Sequence, residues 1–311
     1  MSAPPPIARL AGSAGSADSA GAAPVPDLQA VEQAAAQGQI ELARSALAAW
    51  AQHIGAAANP ATNPGANPGA HPAAAPAAHP TTNATHRAAL RQWQLKLAPW
   101  WWAPLQGAGL TLRRTQADDA DFWRQAFENA DFARRYNRQA AWRGDLARAL
   151  ARAGRLPPIT LEAIHWVVCQ ADGTRLGMAS LSSLNLGNAR AEFSIGFPNA
   201  SVRSPVHAVL ATLLVYHFSF FVLGLNKLTT YVYRENEAAL NNSLRVGLRQ
   251  EGLLHDHFHL PPGEFVDVYA MGLTRAQLLQ DLRLVAMAKR RLGLDWALQG
   301  KAQNSAPKTL T

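Results

Sequence analysis

The chain has 311 residues, one cysteine (Cys169) and a formal net charge of +8, with 29 Lys and Arg against 21 Asp and Glu. A lone cysteine excludes an intramolecular disulfide and fits a reducing cytoplasm, and no continuous apolar run follows Arg9, which argues against a secretory signal. The basic excess lies wholly after Arg87, because up to that residue three Arg (Arg9, Arg44, Arg87) face four acids (Asp18, Asp27, Glu32, Glu41); by itself it suits nucleic acid, anionic lipid or a polyphosphate cofactor equally.

Residues 1–58 read as an Ala-rich leader. Within it, Asp27 to Ile54 carries apolar positions (Leu28, Val31, Ala35, then Leu42, Ala43, Leu47, Trp50) broken at Gln37-Gly38-Gln39. This is the pattern of a helical hairpin resembling a single tetratricopeptide-like unit, which needs a surface to dock on. Residues 59–86 are almost entirely Ala, Pro, Asn, Gly, Thr and His, with no apolar periodicity. Such a segment buries too little to offset its ordering entropy and is expected to be a disordered linker. Residues 87–103 hold a helix, Arg87 to Lys96, and Trp100-Trp101-Trp102 between Pro99 and Pro104. The Trp cluster is expected to pack under the domain or a partner, with an interfacial membrane anchor as the alternative.

From Leu110 the pattern becomes regular. Leu110 to Arg114 reads as a strand, and Asp118 to Tyr136 as a helix with Phe122, Ala126, Phe127 and Phe132 near one face. Gly144 to Ala153 is a second helix, stopped near Gly154 and barred from continuing by Pro157-Pro158. Strands Ala163 to Gln170 and Arg175 to Leu181 flank the hairpin signal Asp172-Gly173, and a third antiparallel strand, Ala189 to Phe197, follows. The helix Val206 to Leu223 then crosses to the strand Lys227 to Tyr233, a unit expected to pair parallel and right-handed. A helix from Asn236 to Val246, strands Arg249 to His255 and Phe265 to Met271, and a basic helix from Thr274 to about Leu292 complete an α+β domain with a mixed sheet.

Three features have sharper readings to weigh. The apolar run Val206 to Leu225 reaches the roughly 20 residues a bilayer span needs, but a strand starts directly after it, so a helix buried against the sheet is expected rather than an integral membrane segment. His255, His257 and His259 would share one strand face, yet no Cys or Glu completes a familiar metal spacing, and no metal is expected. His165 and His217 lie in apolar stretches as core histidines, and Lys289-Arg290-Arg291 reads as a solvated face rather than a nucleic-acid site.

The order strand (Ala189 to Phe197), Arg203 turn, apolar helix, strand (Lys227 to Tyr233) and Asn236-headed helix stopping at Gly247 resembles the cofactor-binding half of the GNAT superfamily of acyl-CoA-dependent N-acetyltransferases. The resemblance implies a GNAT-like domain at 104–272 with a splayed mixed sheet, behind the disordered leader and ahead of a basic helix and tail at 273–311. It also implies acetyl-CoA as co-substrate. On the splayed strand, backbone groups of Phe193, Ser194 and Ile195 would hold the pantetheine arm. The family's phosphate loop, Arg or Gln, two residues, Gly, one residue, then Gly or Ala, falls on Ser201 to Val206, where both glycines are replaced. Arg203 would supply charge there, Ser204 a small residue, Pro205 a first helical turn that needs no N–H, and Val206 a helix-terminal amide. Asn236 would cap the next helix beside the cofactor, while Gly247 and Gly252 match structural glycines.

Glu192 occupies an often acidic position and would be the general base. Ser243 stands where many members carry a Tyr acid; a serine titrates too high for that and could at most hydrogen-bond the sulfur. The implied acceptor is a small primary amine such as an amino sugar, in a compact pocket lined by Trp123, Phe132, Tyr136 and Trp142; a ribosomal-protein-type protein N-terminus is the alternative. Two readings from other classes are a non-catalytic GNAT-like binding module, which the replaced glycines and the missing Tyr would suit, and a membrane-associated scaffold using the Trp cluster.

Overall fold

The computed structural model describes residues 28–58, 80–136, 144–199, 204–260 and 263–305. The expectations for Ser201, Val202, Arg203, Trp142 and the linker residues 59–79 lie outside the described residues. Within them eight strands form one sheet: β1 (Leu105–Gly107), β2 (Leu110–Arg114), β3 (Ile164–Gln170), β4 (Arg175–Asn185), β5 (Arg190–Gly196), β6 (Lys227–Tyr233), β7 (Arg249–Leu260) and β8 (Glu264–Thr274). Their order is β1-β2-β3-β4-β5-β6-β8-β7. Every neighbouring pair is antiparallel except β5 and β6, which the crossover helix α8 (Pro205–His217) joins in parallel.

Strand alternation divides the domain into two layers. On β4, Ala179 and Leu181 face the main core with α8, while Met178 faces the opposite side, against Trp123, Phe132 and Leu150. That second side is covered by α4 (Ala120–Glu128), α5 (Ala130–Arg135) and α6 (Leu146–Arg155). The α8 side also carries α9 (Glu237–Arg245) and, after the sheet, α10 (Arg275–Gln280), α11 (Leu282–Leu292) and α12 (Trp296–Ser305).

Asp119 ties the entry to this second layer onto the sheet. Its side chain is 0% exposed; Arg113 of β2 donates to it at 2.7 and 2.8 Å, Arg175 of β4 at 2.8 Å, and the Gln116 amide at 2.8 Å. Burial pushes its carboxyl pKa up, but the two guanidinium bonds and the amide outweigh this and hold it below the usual range. Nearby, Gly154 lets α6 approach the Thr115 carbonyl so closely that a Cβ would overlap it.

The leader hairpin forms as α1 (Leu28–Ala36) and α2 (Ile40–Ala58) and docks with α3 (Pro80–Lys96) in a small cluster around Val31, Ala43, Leu47, Trp50 and Leu97. Arg44 donates from Nε to the Leu97 carbonyl at 2.8 Å and lies 5.0 Å from the Trp102 ring centroid. Of the Trp run, Trp101 is 0% exposed, with Nε1 donating to the Leu95 carbonyl at 2.8 Å, Trp102 is half-buried and Trp100 is 39% exposed. Buried Arg114 has no carboxylate partner; it donates to the carbonyls of Trp101, Ala153 and Leu156, and burial lowers its pKa to about 10.

Several boundaries differ from expectation. Helix α3 begins at Pro80, inside the segment 59–86 expected to be linker. The helix expected from Asp118 to Tyr136 is two, because Asn129 leaves helical geometry (ψ 102°) and caps α5 through the Phe132 amide at 3.1 Å. Asp281 divides the terminal helix in the same way, accepting the Leu284 amide at 3.1 Å. Three short or weakly patterned elements escaped the sequence: β1, which joins β2 through Ala108-Gly109 at φ 51° and 77°, α7 (Pro158–Leu161), and α12 with its fully buried Trp296.

Asp119→Ala leaves two guanidinium groups facing each other without their carboxylate, and breaking a buried pair in this way costs about 3 kcal/mol or more. Urea unfolding at pH 7 should show that loss. Because the folded pKa is depressed, the stabilisation is complete above the ordinary carboxylate value of about 3.9 and disappears as pH falls through the folded value. Hence the deficit of the variant should shrink on acidification, as urea midpoints measured between pH 7 and pH 3 would register.

Candidate active site

The β5–β6 ladder ends early. Register pairs run Arg190↔Lys227, Ala191↔Leu228 and Glu192↔Thr229, and no pair follows, although β5 continues to Gly196 and β6 to Tyr233. Beyond that point β5 stays zipped to β4 (Phe193↔Leu181, Ser194↔Ser180, Ile195↔Ala179, Gly196↔Met178), and β6 stays zipped to β8 through Tyr233↔Val268. The two strands therefore diverge into an open wedge. The bulge lies on β4 rather than on β5, between Ser182 and Asn185, with Ser183 at φ 49°.

Peptide orientation along β5 follows from its first rungs. The Ala189 carbonyl accepts the Lys227 amide at 3.1 Å and the Ala191 carbonyl accepts the Thr229 hydroxyl at 3.4 Å, so odd-numbered residues turn their amides and carbonyls toward β6. The Phe193 amide thus belongs to the last rung, while the Phe193 carbonyl and the Ile195 amide face the wedge. Ser194 differs from expectation: its peptide groups turn toward Ser180 of β4, so only its side chain is available to the site.

On the α8 side of the wedge lie the groups suited to a phosphorylated cofactor. Ser204 caps α8, its Oγ accepting the Val206 amide at 3.3 Å, a long bond, and Pro205 brings no N–H. Helix-heading amides at Val206 and His207 remain the donors nearest the turn. Asn236 caps α9, accepting the Ala239 amide at 3.1 Å. Ser243 is half-buried and shares the sheetward helix face with Ala239 and Leu240, which pack on the core. Gly247, at φ 90°, ends this helix, and a Cβ there would meet Leu284 at 2.7 Å.

The opposite side of the wedge is a shallow aromatic surface. Glu192 and Ser194 project there, since Phe193 between them packs its ring on Tyr216 of α8. Phe132 and Tyr136 stack at 5.0 Å above Gly196, where a Cβ would run into both rings, and the Tyr136 hydroxyl bonds to Ser180. From β6, Thr229, Tyr231 and Tyr233 share this face, and Tyr231 lies 5.2 Å from the His257 ring. Of the aromatics anticipated for an acceptor pocket, Phe132 and Tyr136 border the wedge, whereas Trp123 is 2% exposed and packs beneath them.

The three His of β7 do not act as one face. The strand bulges at Asp256 (φ 47°); His255 meets Asp267 at 3.2 Å, His257 meets Tyr231, and His259 meets Phe265. Among the described residues no group of three or more His, Cys, Asp or Glu is arranged to hold a metal. Burial lowers His165 to about 4, with Arg114 adding to the effect, and also lowers His217. The segment Pro205–Val222 is long and apolar enough to cross a membrane, and 61% of it is buried inside the fold.

Residues 109–249 match the acetyltransferase (GNAT) domain family. A curated relative, the spermidine N(1)-acetyltransferase of Escherichia coli (strain K12), is 34% identical over 97 residues, covering 29% of this chain and 49% of the relative; the protein of that name from Escherichia coli O157:H7 gives the same figures. The chain spans about half the length of these curated relatives. Among solved structures, spermidine N-acetyltransferase from Vibrio cholerae in complex with CoA and spermine aligns with a TM-score of 0.48 and 23% identity, over 55% of this chain and 98% of that one. Residues 109–249 of this chain are thus similar to the acetyltransferase (GNAT) domain.

Proposed function

We propose that this protein transfers an acetyl group from acetyl-CoA to a primary amine of a small molecule. The observation that carries this reading is the parting of β5 from β6 beyond Glu192 and Thr229, which leaves the Phe193 carbonyl and the Ile195 amide without a rung on β6 and free to meet an extended thioester arm. Donors at the head of α8, together with Arg203 from the sequence pattern, would meet the pyrophosphate. The reacting carbonyl would then sit at the narrow end of the wedge, with the acceptor approaching from the aromatic side.

There Glu192 takes one proton from the incoming ammonium, directly or through a water. The freed amine attacks the thioester carbon, the C–S bond breaks, and the second proton now carried by the nitrogen passes through water to the leaving thiolate, whose sulfur the Ser243 hydroxyl could hydrogen-bond. Aromatic rings of Tyr136, Phe132 and Tyr231 suit an alkylammonium, which is attracted to their faces. A polyamine is the first acceptor class to examine, because the 34% identical relative is a spermidine N(1)-acetyltransferase; amino sugars and protein N-termini are the other arms of the same test. A cytoplasmic location accords with the single, buried Cys169.

The full chain should bind acetyl-CoA by calorimetry and release acetylated product, detected by mass spectrometry, from at least one of spermidine, glucosamine and a peptide with a free N-terminus. Binding without turnover on any amine would convert the reading to a non-catalytic module, and absence of binding would remove acetyl-CoA altogether. Glu192→Gln should lower kcat by about a hundredfold or more with little change in acetyl-CoA affinity, and the acidic limb of the pH–rate profile should vanish. Arg203→Ala should weaken acetyl-CoA binding by about tenfold, as loss of one charge-assisted phosphate contact predicts, while kcat at saturation stays near that of the parent.

A further inference from the structure

Tyr216 is 0% exposed on α8, and its hydroxyl has no hydrogen-bond partner. Its ring lies 5.9 Å from that of Phe193 and 5.9 Å from that of Phe220. A phenylalanine would fill the same volume without burying an unmade hydrogen bond, so the hydroxyl costs stability in the free protein and gives nothing back within it.

Its place in the fold suggests what satisfies it. Helix α8 starts just after the open end of β5 and returns antiparallel beneath the sheet to the start of β6. Tyr216 is near the end of that run and touches Phe193, the residue directly after the last β5–β6 pair. The Tyr216 ring therefore packs beneath the narrow end of the wedge, where Leu228 and Val232 of β6 belong to the same apolar core. A wide π turn, Phe218–Val222, begins two residues later. Burial pushes the phenol pKa far up, so the group stays protonated and can act only as a neutral hydrogen-bonding hydroxyl.

We propose that Tyr216 is the floor of the acyl pocket: its hydroxyl donates a hydrogen bond to the carbonyl oxygen of an acyl thioester seated at the narrow end of the wedge, and its ring restricts the acyl chain to acetyl. This rests on the acetyl-CoA reading above and deepens it by assigning a residue that discriminates the acylated cofactor from free CoA. The orphaned hydroxyl and the contact of its ring with Phe193 carry the assignment.

The test uses the full-length chain and calorimetric titration with acetyl-CoA and with CoA. Tyr216→Phe should weaken acetyl-CoA about five- to tenfold and leave CoA unchanged, the effect of losing one neutral hydrogen bond to the acyl group. Its melting temperature without ligand should equal or exceed that of the parent, since an unmade bond is removed. Tyr216→Ala should raise turnover of butyryl-CoA relative to acetyl-CoA by about tenfold or more, as space opens below the acyl carbon. An unchanged ratio of acetyl-CoA to CoA affinity in Tyr216→Phe overturns the assignment, and so does a lowered melting temperature with that ratio intact, which marks a structural role. If the parent chain binds neither ligand, the acetyl-CoA reading itself falls and this inference with it; binding by the parent with an unaltered ratio in the variant removes Tyr216 alone.

Discussion

The interruption of one hydrogen-bonded ladder organises this domain. Parallel pairing between β5 and β6 stops after Glu192 and Thr229, while each strand keeps its other neighbour for the rest of its length. Backbone amides and carbonyls demand partners, so a sheet that gives up rungs in its interior must offer them to something else. The gap is stable because it is held from outside: β4 grips β5 through Gly196, β8 grips β6 through Tyr233, and beneath it Tyr216 of α8 packs between Phe193 of β5 and Phe220 of the π turn.

The wedge also separates two chemistries. Strand alternation sends Phe193 toward α8 and sends Glu192 and Ser194 to the opposite face, so the helix-terminal amides and the Glu192 carboxylate sit on different sides of one backbone opening. A thioester entering from one side and an amine from the other would meet only at the narrow end, which suits direct transfer in a ternary complex. The Asp119 latch anchors the start of the layer that carries Phe132 and Tyr136, and so bears on the acceptor side although it lies outside the wedge.

Much of the fold was legible. The strands Leu110–Arg114 and Lys227–Tyr233 agree with their sequence pattern to the residue, the first through its alternation of Leu110 and Leu112 with polar residues, the second through its β-branched and aromatic residues. The Asn236 cap and the Gly247 stop were equally plain, since a capping side chain and a positive φ each require a narrow choice of residue. Less legible were Asn129 and Asp281, which sit inside continuous helical periodicity yet break it: their side chains compete for local amides, and the tertiary packing of the flanking helices decides the outcome. The role of each β5 residue was also hidden, as the peptide direction of Ser194 depends on which rung is the last one made.

The sequence by itself determined the order of the main elements, the mixed sheet, and the Glu-bearing strand beside an apolar crossover helix. Those follow from local pattern and spacing, which act over a few residues. Tertiary structure alone decided where the ladder stops, which faces Glu192 and Phe193 take relative to the opening, and that the Tyr216 hydroxyl is buried without a partner beneath it. Each of these is set by contacts between segments distant along the chain, and no local preference of a single segment encodes them.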